Sequence, residues 1–64
     1  MLAFIELTDA ESGVTKLINI NNVTEVIDHE DFTTFYFIGD NNTVSVREKY
    51  AEVHSRIAKL LTGD

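Results

Sequence analysis

Asp28-His29-Glu30-Asp31 is the densest run of titratable side chains in the sequence, and metal binding or general acid–base chemistry would be sought there first. Loops that hold hard cations space their ligands apart and usually turn on a glycine. Four consecutive residues point in different directions and cannot all reach one ion, so the run reads as a solvated turn. His54 stands one position from Val53 in the helical pattern described below and reads as a surface or boundary histidine. Nucleophilic catalysis needs a hydroxyl beside a positioned base, and no spacing ties Ser45, Ser55 or Thr34 to a histidine. Gly13, Gly39 and Gly63 stand alone, so no phosphate-cradling loop exists. Cysteine is absent, which removes disulfides and thiolate metal sites. The chain therefore reads as non-enzymatic, with no catalytic residue, cofactor or metal.

The remaining chemistry is that of surfaces. The formal charge is −6, and it is uneven: residues 1–46 carry eight acids against one base, Lys16, whereas 47–64 carry four bases and three acids. Phosphate neutralisation needs a basic groove or stripe, so direct nucleic-acid binding is not expected. An acidic surface formed by Glu25, Asp28, Glu30, Asp31 and Asp40 could meet a basic protein, or could serve only to keep a small domain in solution. The opening MLAFIELT has no basic segment and reaches Glu6 after five residues. It reads as neither a signal peptide nor a membrane span, and a cytoplasmic location is expected. Absence of cysteine is consistent with a reducing compartment.

The elements that would carry these surfaces follow from periodicity. Residues 2–8 alternate, with Ala3, Ile5 and Leu7 on one face and Phe4, Glu6 and Thr8 on the other, as in a half-buried strand. Turn formers at 9–13 end in Gly13, and 14–20 supplies an antiparallel partner strand. Asn19, Asn21 and Asn22 predict a bend or single 3₁₀ turn. Strands follow at about 23–28, 32–38 and 43–47, the middle one (FTTFYFI) being the strongest and expected at the centre of its sheet. From Lys49 the period changes to 3.6: Tyr50, Val53, Ile57, Leu60 and Leu61 form one apolar stripe over a helix at about 49–61. Glu52 suits the first turn and pairs with Arg56, and Gly63 provides a left-handed cap. The result is a single α+β domain spanning 1–64: a mostly antiparallel meander of four to five strands, followed by one amphipathic C-terminal helix packed on one face.

Ile18-Asn19, Val23 and Val26, Asp31-Phe32-Thr33-Thr34-Phe35, Val44-Ser45-Val46-Arg47-Glu48 and Glu52-Val53 occur in an order and spacing that resembles the small FlbD/SwrD-like family of bacterial flagellar operons, and related short bacterial and prophage proteins. The resemblance covers about residues 17–57. Here Gly39 precedes Asp40-Asn41-Asn42 in the turn, and Lys49 stands where the family carries a serine cap. The resemblance implies a small, non-enzymatic cytoplasmic accessory protein and names no catalytic residue.

One helix can cover only one face of such a sheet. The opposite face would present Phe4, Glu6, Phe32, Thr34 and Tyr36, either as an interface or folded in by sheet curvature. A chain of 64 residues buries only about 60% of its unfolded surface and lacks disulfide and metal staples, so self-association is the cheapest supplement to its core. Two functions are expected on these grounds. One is a module that self-associates as a homo-oligomer or docks on a larger protein through its sheet face. The other is an acidic inhibitor from a mobile element that imitates nucleic acid toward a basic host protein.

Overall fold

The computed structural model describes residues 3–39 and 41–63. Five strands and one helix follow one another in the order β1 (Phe4–Thr8), β2 (Thr15–Asn19), β3 (Val23–Asp28), β4 (Thr33–Phe37), β5 (Thr43–Val46) and α1 (Tyr50–Thr62). A 3₁₀ turn, Ile20–Asn22, separates β2 from β3. The architecture is α+β, as the periodicity predicts, but the strands divide into two antiparallel sheets: the hairpin β1-β2 and the meander β3-β4-β5.

The two sheets are stitched along one seam. Asp9 bridges Val46, the Ala10 N–H donates to the Ser45 carbonyl at 2.9 Å, and the Arg47 N–H donates to the Thr8 carbonyl at 2.8 Å. Across that seam the strands run β2-β1-β5-β4-β3, leaving β2 and β3 at the two ends. Glu48 closes the seam beyond β5, because its carboxylate accepts from both the N–H and the hydroxyl of Thr8, each at 2.9 Å. Its backbone carbonyl accepts from the Thr33 hydroxyl at 2.8 Å, tying the helix approach to β4. Burial pushes the Glu48 carboxyl up, but the hydrogen bonds from Thr8 and from its own backbone amide, with the charge of Arg56, outweigh this and hold it below its ordinary value.

Register explains the core. Ile5 pairs with Ile18, Phe35 with Val26 and Val44, and Thr33 with Val46, so the inward positions of both sheets converge. Ile5, Leu7, Ile18, Phe35, Val46 and Val53 form the buried cluster, with Val26, Phe37, Val44 and Ile57 packed around it. The central strand β4 is covered on both faces at its start: Thr33, Thr34 and Phe35 are all buried. A register shift between Val23 and Glu25 accommodates one extra residue in β3 and increases local twist.

The turns are built by side chains that the sequence marks as turn formers. At 9–13 the Asp9 carboxylate accepts from the Ser12 N–H and hydroxyl, each at 2.9 Å, and meets the Lys16 ammonium at 2.9 Å. Gly13 has φ 75°, a left-handed backbone that favours glycine, and the Arg47 guanidinium packs 3.1 Å from where a Cβ would stand. The Asn19 side chain accepts from the Asn21 N–H, as expected of the asparagine triplet.

The helix corrects one expectation. Of its apolar stripe, Val53 is buried and Ile57 half-buried, while Tyr50, Leu60 and Leu61 stay exposed, Leu61 at 72%. Two small, bent sheets offer less surface than a flat five-stranded sheet would, so only the middle of the stripe reaches the core. Arg56 secures the helix to β1 by donating to the Glu6 carbonyl at 2.6 Å while pairing with Glu52. Lys49 occupies the N-cap with extended φ and ψ but makes no side-chain cap bond, and Gly63 closes the C-terminus at φ 78°. Among the described residues no helix is long and apolar enough to cross a membrane.

Candidate interaction surface

The acidic run is a built turn. Asp28 at the end of β3 accepts the Glu30 N–H at 2.8 Å, the His29 N–H donates to the Phe32 carbonyl at 3.0 Å, and the Asp31 N–H reaches back to the His29 carbonyl at 2.9 Å. Glu30 takes φ 73°, a left-handed conformation that a residue with a Cβ adopts only at a cost. The His29 ring stacks on Phe32 with centroids 4.7 Å apart. Among the described residues, no three histidine, aspartate or glutamate side chains come together to hold a metal ion. Glu25, Asp28, Glu30 and Asp31 are all exposed, and together they line β3 and its tip with negative charge. Asp40, assigned above to the same surface, lies outside the described residues.

Two of the three hydroxyls considered above as nucleophiles are used for structure. Thr34 and Ser45 share a 2.9 Å hydrogen bond across β4 and β5. Ser55 is exposed on the helix, and the His54 ring sits against Tyr50 with centroids 6.1 Å apart.

The five residues expected on one open sheet face are divided by the split into two sheets. Phe4 and Glu6 project outward from β1, opposite Asn19 and Leu17 of β2. Tyr36 projects from β4 opposite Glu25 and Thr43, and Phe32 belongs to the turn before β4. Phe4, Phe32 and Tyr36 are exposed. Thr34 is corrected: at 6% exposure, with its hydroxyl bonded to Ser45, it presents no surface to a partner. Curvature thus folds in the threonine and leaves the aromatics out.

Two apolar surfaces were missed by the alternation argument. Leu17, 64% exposed, stands diagonally from Phe4 on the outer face of the hairpin. Reading Ile18 as inward would have placed Leu17 outward, since strand neighbours alternate. The other surface is a shallow groove of about 220 Å³ between β3 and α1, lined by Val26, Tyr50, Val53, His54, Ile57, Ala58 and Leu61. Its signal is present in the sequence: at about 100° per residue, Glu52, Arg56 and Lys59 share an arc of about 60°, while Tyr50, His54, Ala58 and Leu61 share the opposite arc of about 80°. The helix flank beside the groove therefore carries no acid, lysine or arginine.

Among the described residues, apolar side chains stand open at the surface, the Asp9 and Asp28 carboxylates accept backbone hydrogens, and the Thr34 and Ser45 hydroxyls link β4 to β5. No protein-family model, curated protein or solved structure matches the chain.

Proposed function

We propose that this protein is a small, non-enzymatic cytoplasmic accessory protein that works by binding protein, self-associating or docking on a larger partner. The observation that carries this reading is the apolar side chain left at the surface. Among the described residues nine large hydrophobic side chains are exposed, and the helix fully buries only Val53. A domain this small gains little from its core alone, so covering such groups stabilises it as well as serving function. The ordered resemblance to FlbD/SwrD-like proteins supports an accessory role. Light scattering from micromolar to millimolar concentration tests self-association, with apparent mass expected to rise toward a multiple of the chain. A strictly monomeric chain, together with Phe4→Glu and Leu61→Glu variants that match the parent in stability and solubility, would overturn it.

The charge distribution favours a second reading. Glu25, Asp28, Glu30 and Asp31 are exposed along β3 and its tip, and the charge before Arg47 is strongly negative. Such a surface suits an inhibitor that occupies the basic cleft of a nucleic-acid-binding protein. Binding of that kind weakens steeply with salt. Association with a basic protein that survives high salt unchanged would count against it.

A further inference from the structure

We propose that β2 is a self-pairing edge: a second copy lays its own β2 antiparallel against it, about a two-fold axis through Leu17, and the two hairpins join into one sheet. This deepens the self-association reading above and rests on it. The order β2-β1-β5-β4-β3 leaves two edges, and backbone parity shows what β2 offers. The Asp9 N–H donates to the Val14 carbonyl and the Ile20 N–H to the Ala3 carbonyl, both at 2.8 Å. Hydrogen-bonded residues alternate along an antiparallel ladder. Val14, Lys16 and Ile18 therefore bond toward β1, whereas Thr15, Leu17 and Asn19 turn their N–H groups away from it. Among the described residues no second strand pairs with β2, and no backbone group from outside the hairpin reaches Thr15 or Leu17. Such an edge is complementary to one thing, an extended backbone.

Charge and side chains select β2 of a second copy as that backbone. Residues 1–46 carry eight acids, yet none of them lies in Thr15–Asn19, and Lys16 is already paired with Asp9. Glu6, the acid of the hairpin strands, stands opposite Leu17 on β1. With β2 against β2, the two copies of Glu6 are three strand spacings apart, about 14 Å, beyond the screening length of about 8 Å at physiological salt. Pairing β3 with β3 would instead set Glu25 and Asp28 of both copies on adjacent strands, and the register shift between Val23 and Glu25 breaks the regular edge there. The register follows from parity. Centring on Leu17 pairs it with Leu17 of the second copy and sets Thr15 opposite Asn19 at both ends, so every outward residue is used. Centring one residue earlier opposes Lys16 to Lys16, and one later leaves Thr15 unpaired. The axis thus falls on the hairpin's most exposed strand residue: Leu17 is 64% exposed and stands diagonally from Phe4. Pairing covers Leu17 and runs one apolar stripe, Phe4 and Leu17 of each copy, across four strands. The contact is one five-residue strand long, at the small end of specific interfaces. A dissociation constant in the micromolar range or weaker is expected, tightening as salt screens two chains of net −6.

Sedimentation velocity from micromolar to millimolar concentration tests this on the parent chain, Leu17→Lys and Leu61→Lys, with the fold followed by circular dichroism. Both leucines are exposed, so both variants keep the fold, and both lower the net negative charge equally. The parent is expected to dimerise. Leu17→Lys removes the leucine pair and opposes two ammonium groups on the axis, so it should weaken the dimer about tenfold. Leu61→Lys should not weaken it. Amide hydrogen exchange followed by NMR reports which edge is used. The N–H groups of Thr15 and Leu17 should gain protection as concentration rises. On β3 the His29 N–H bonds to Phe32, so by the same parity Val26 and Asp28 face outward, and their N–H groups should gain none. A Leu17→Lys chain that dimerises like the parent, or protection that appears on β3, would overturn this pairing while leaving self-association standing. A parent that stays monomeric throughout would overturn both and leave the edge to a strand of another protein.

Discussion

Glu48 is the carboxylate whose removal should cost this fold the most. Its two oxygens accept from the N–H and the hydroxyl of Thr8, at 2.9 Å each, at the seam where the two sheets meet. Hydrogen bonds to a charged acceptor contribute about 1.5–3 kcal/mol when buried. Glu48 is only half-buried, so solvent screening reduces each to about 1 kcal/mol and the pair to about 2 kcal/mol. Glu48→Ala also leaves the Thr8 N–H facing the seam without its acceptor. For a domain of this size, 2 kcal/mol corresponds to a fall in thermal midpoint of about 8–16 °C. Glu48→Gln keeps a carbonyl for the Thr8 N–H and loses the charge, so about half that fall is expected. The measurement is thermal and urea unfolding of the dilute chain, followed by circular dichroism at neutral pH. A Glu48→Ala midpoint within about 2 °C of the parent would refute the view that this carboxylate joins the sheets. The pH dependence has a definite sign. The folded-state pKa lies below the ordinary 4.5, so the contribution is complete above that value and is lost as pH falls through the folded pKa. Glu48→Gln should therefore flatten part of the acid limb of the stability curve.

Three further substitutions test the local reasoning. Lys49→Ser places a capping hydroxyl on a residue already in cap geometry and sets up a capping box with Glu52, so stability should rise by about 1 kcal/mol in a urea titration. Glu30→Gly relieves the left-handed backbone at φ 73° and should stabilise the chain by about 0.5–1 kcal/mol, whereas Glu30→Val should destabilise it; calorimetry reads both. Asp9 is held well below the ordinary carboxylate range, chiefly by the Ser12 amide and then by Lys16 and the Ser12 hydroxyl. Its contribution is thus complete above its ordinary value of 3.8 and is lost on further acidification, so Asp9→Asn should show a shallower loss of midpoint below that pH.

Elements that rest on local chemistry were legible in the sequence. Alternation placed Ala3, Ile5 and Leu7 inward, and they are buried. Asn19, Asn21 and Asn22 announced the 3₁₀ turn, Gly13 and Gly63 their left-handed backbones, and the Glu52–Arg56 spacing its ion pair. Each depends on residues a few positions apart. What only the tertiary structure decided depends on partners far apart in the chain. Glu48 reads as one more carboxylate until β1 is folded against β5 and Thr8 arrives beside it, 40 residues away in sequence. Thr34 reads as an outward strand residue until Ser45 and the seam close over it. The division into two bent sheets, which separates Phe4 from Tyr36 and leaves half the helix stripe uncovered, follows from that same seam. Strand periodicity specifies which face a side chain takes, but curvature and closure specify what that face meets, and these arise only when distant strands share hydrogen bonds.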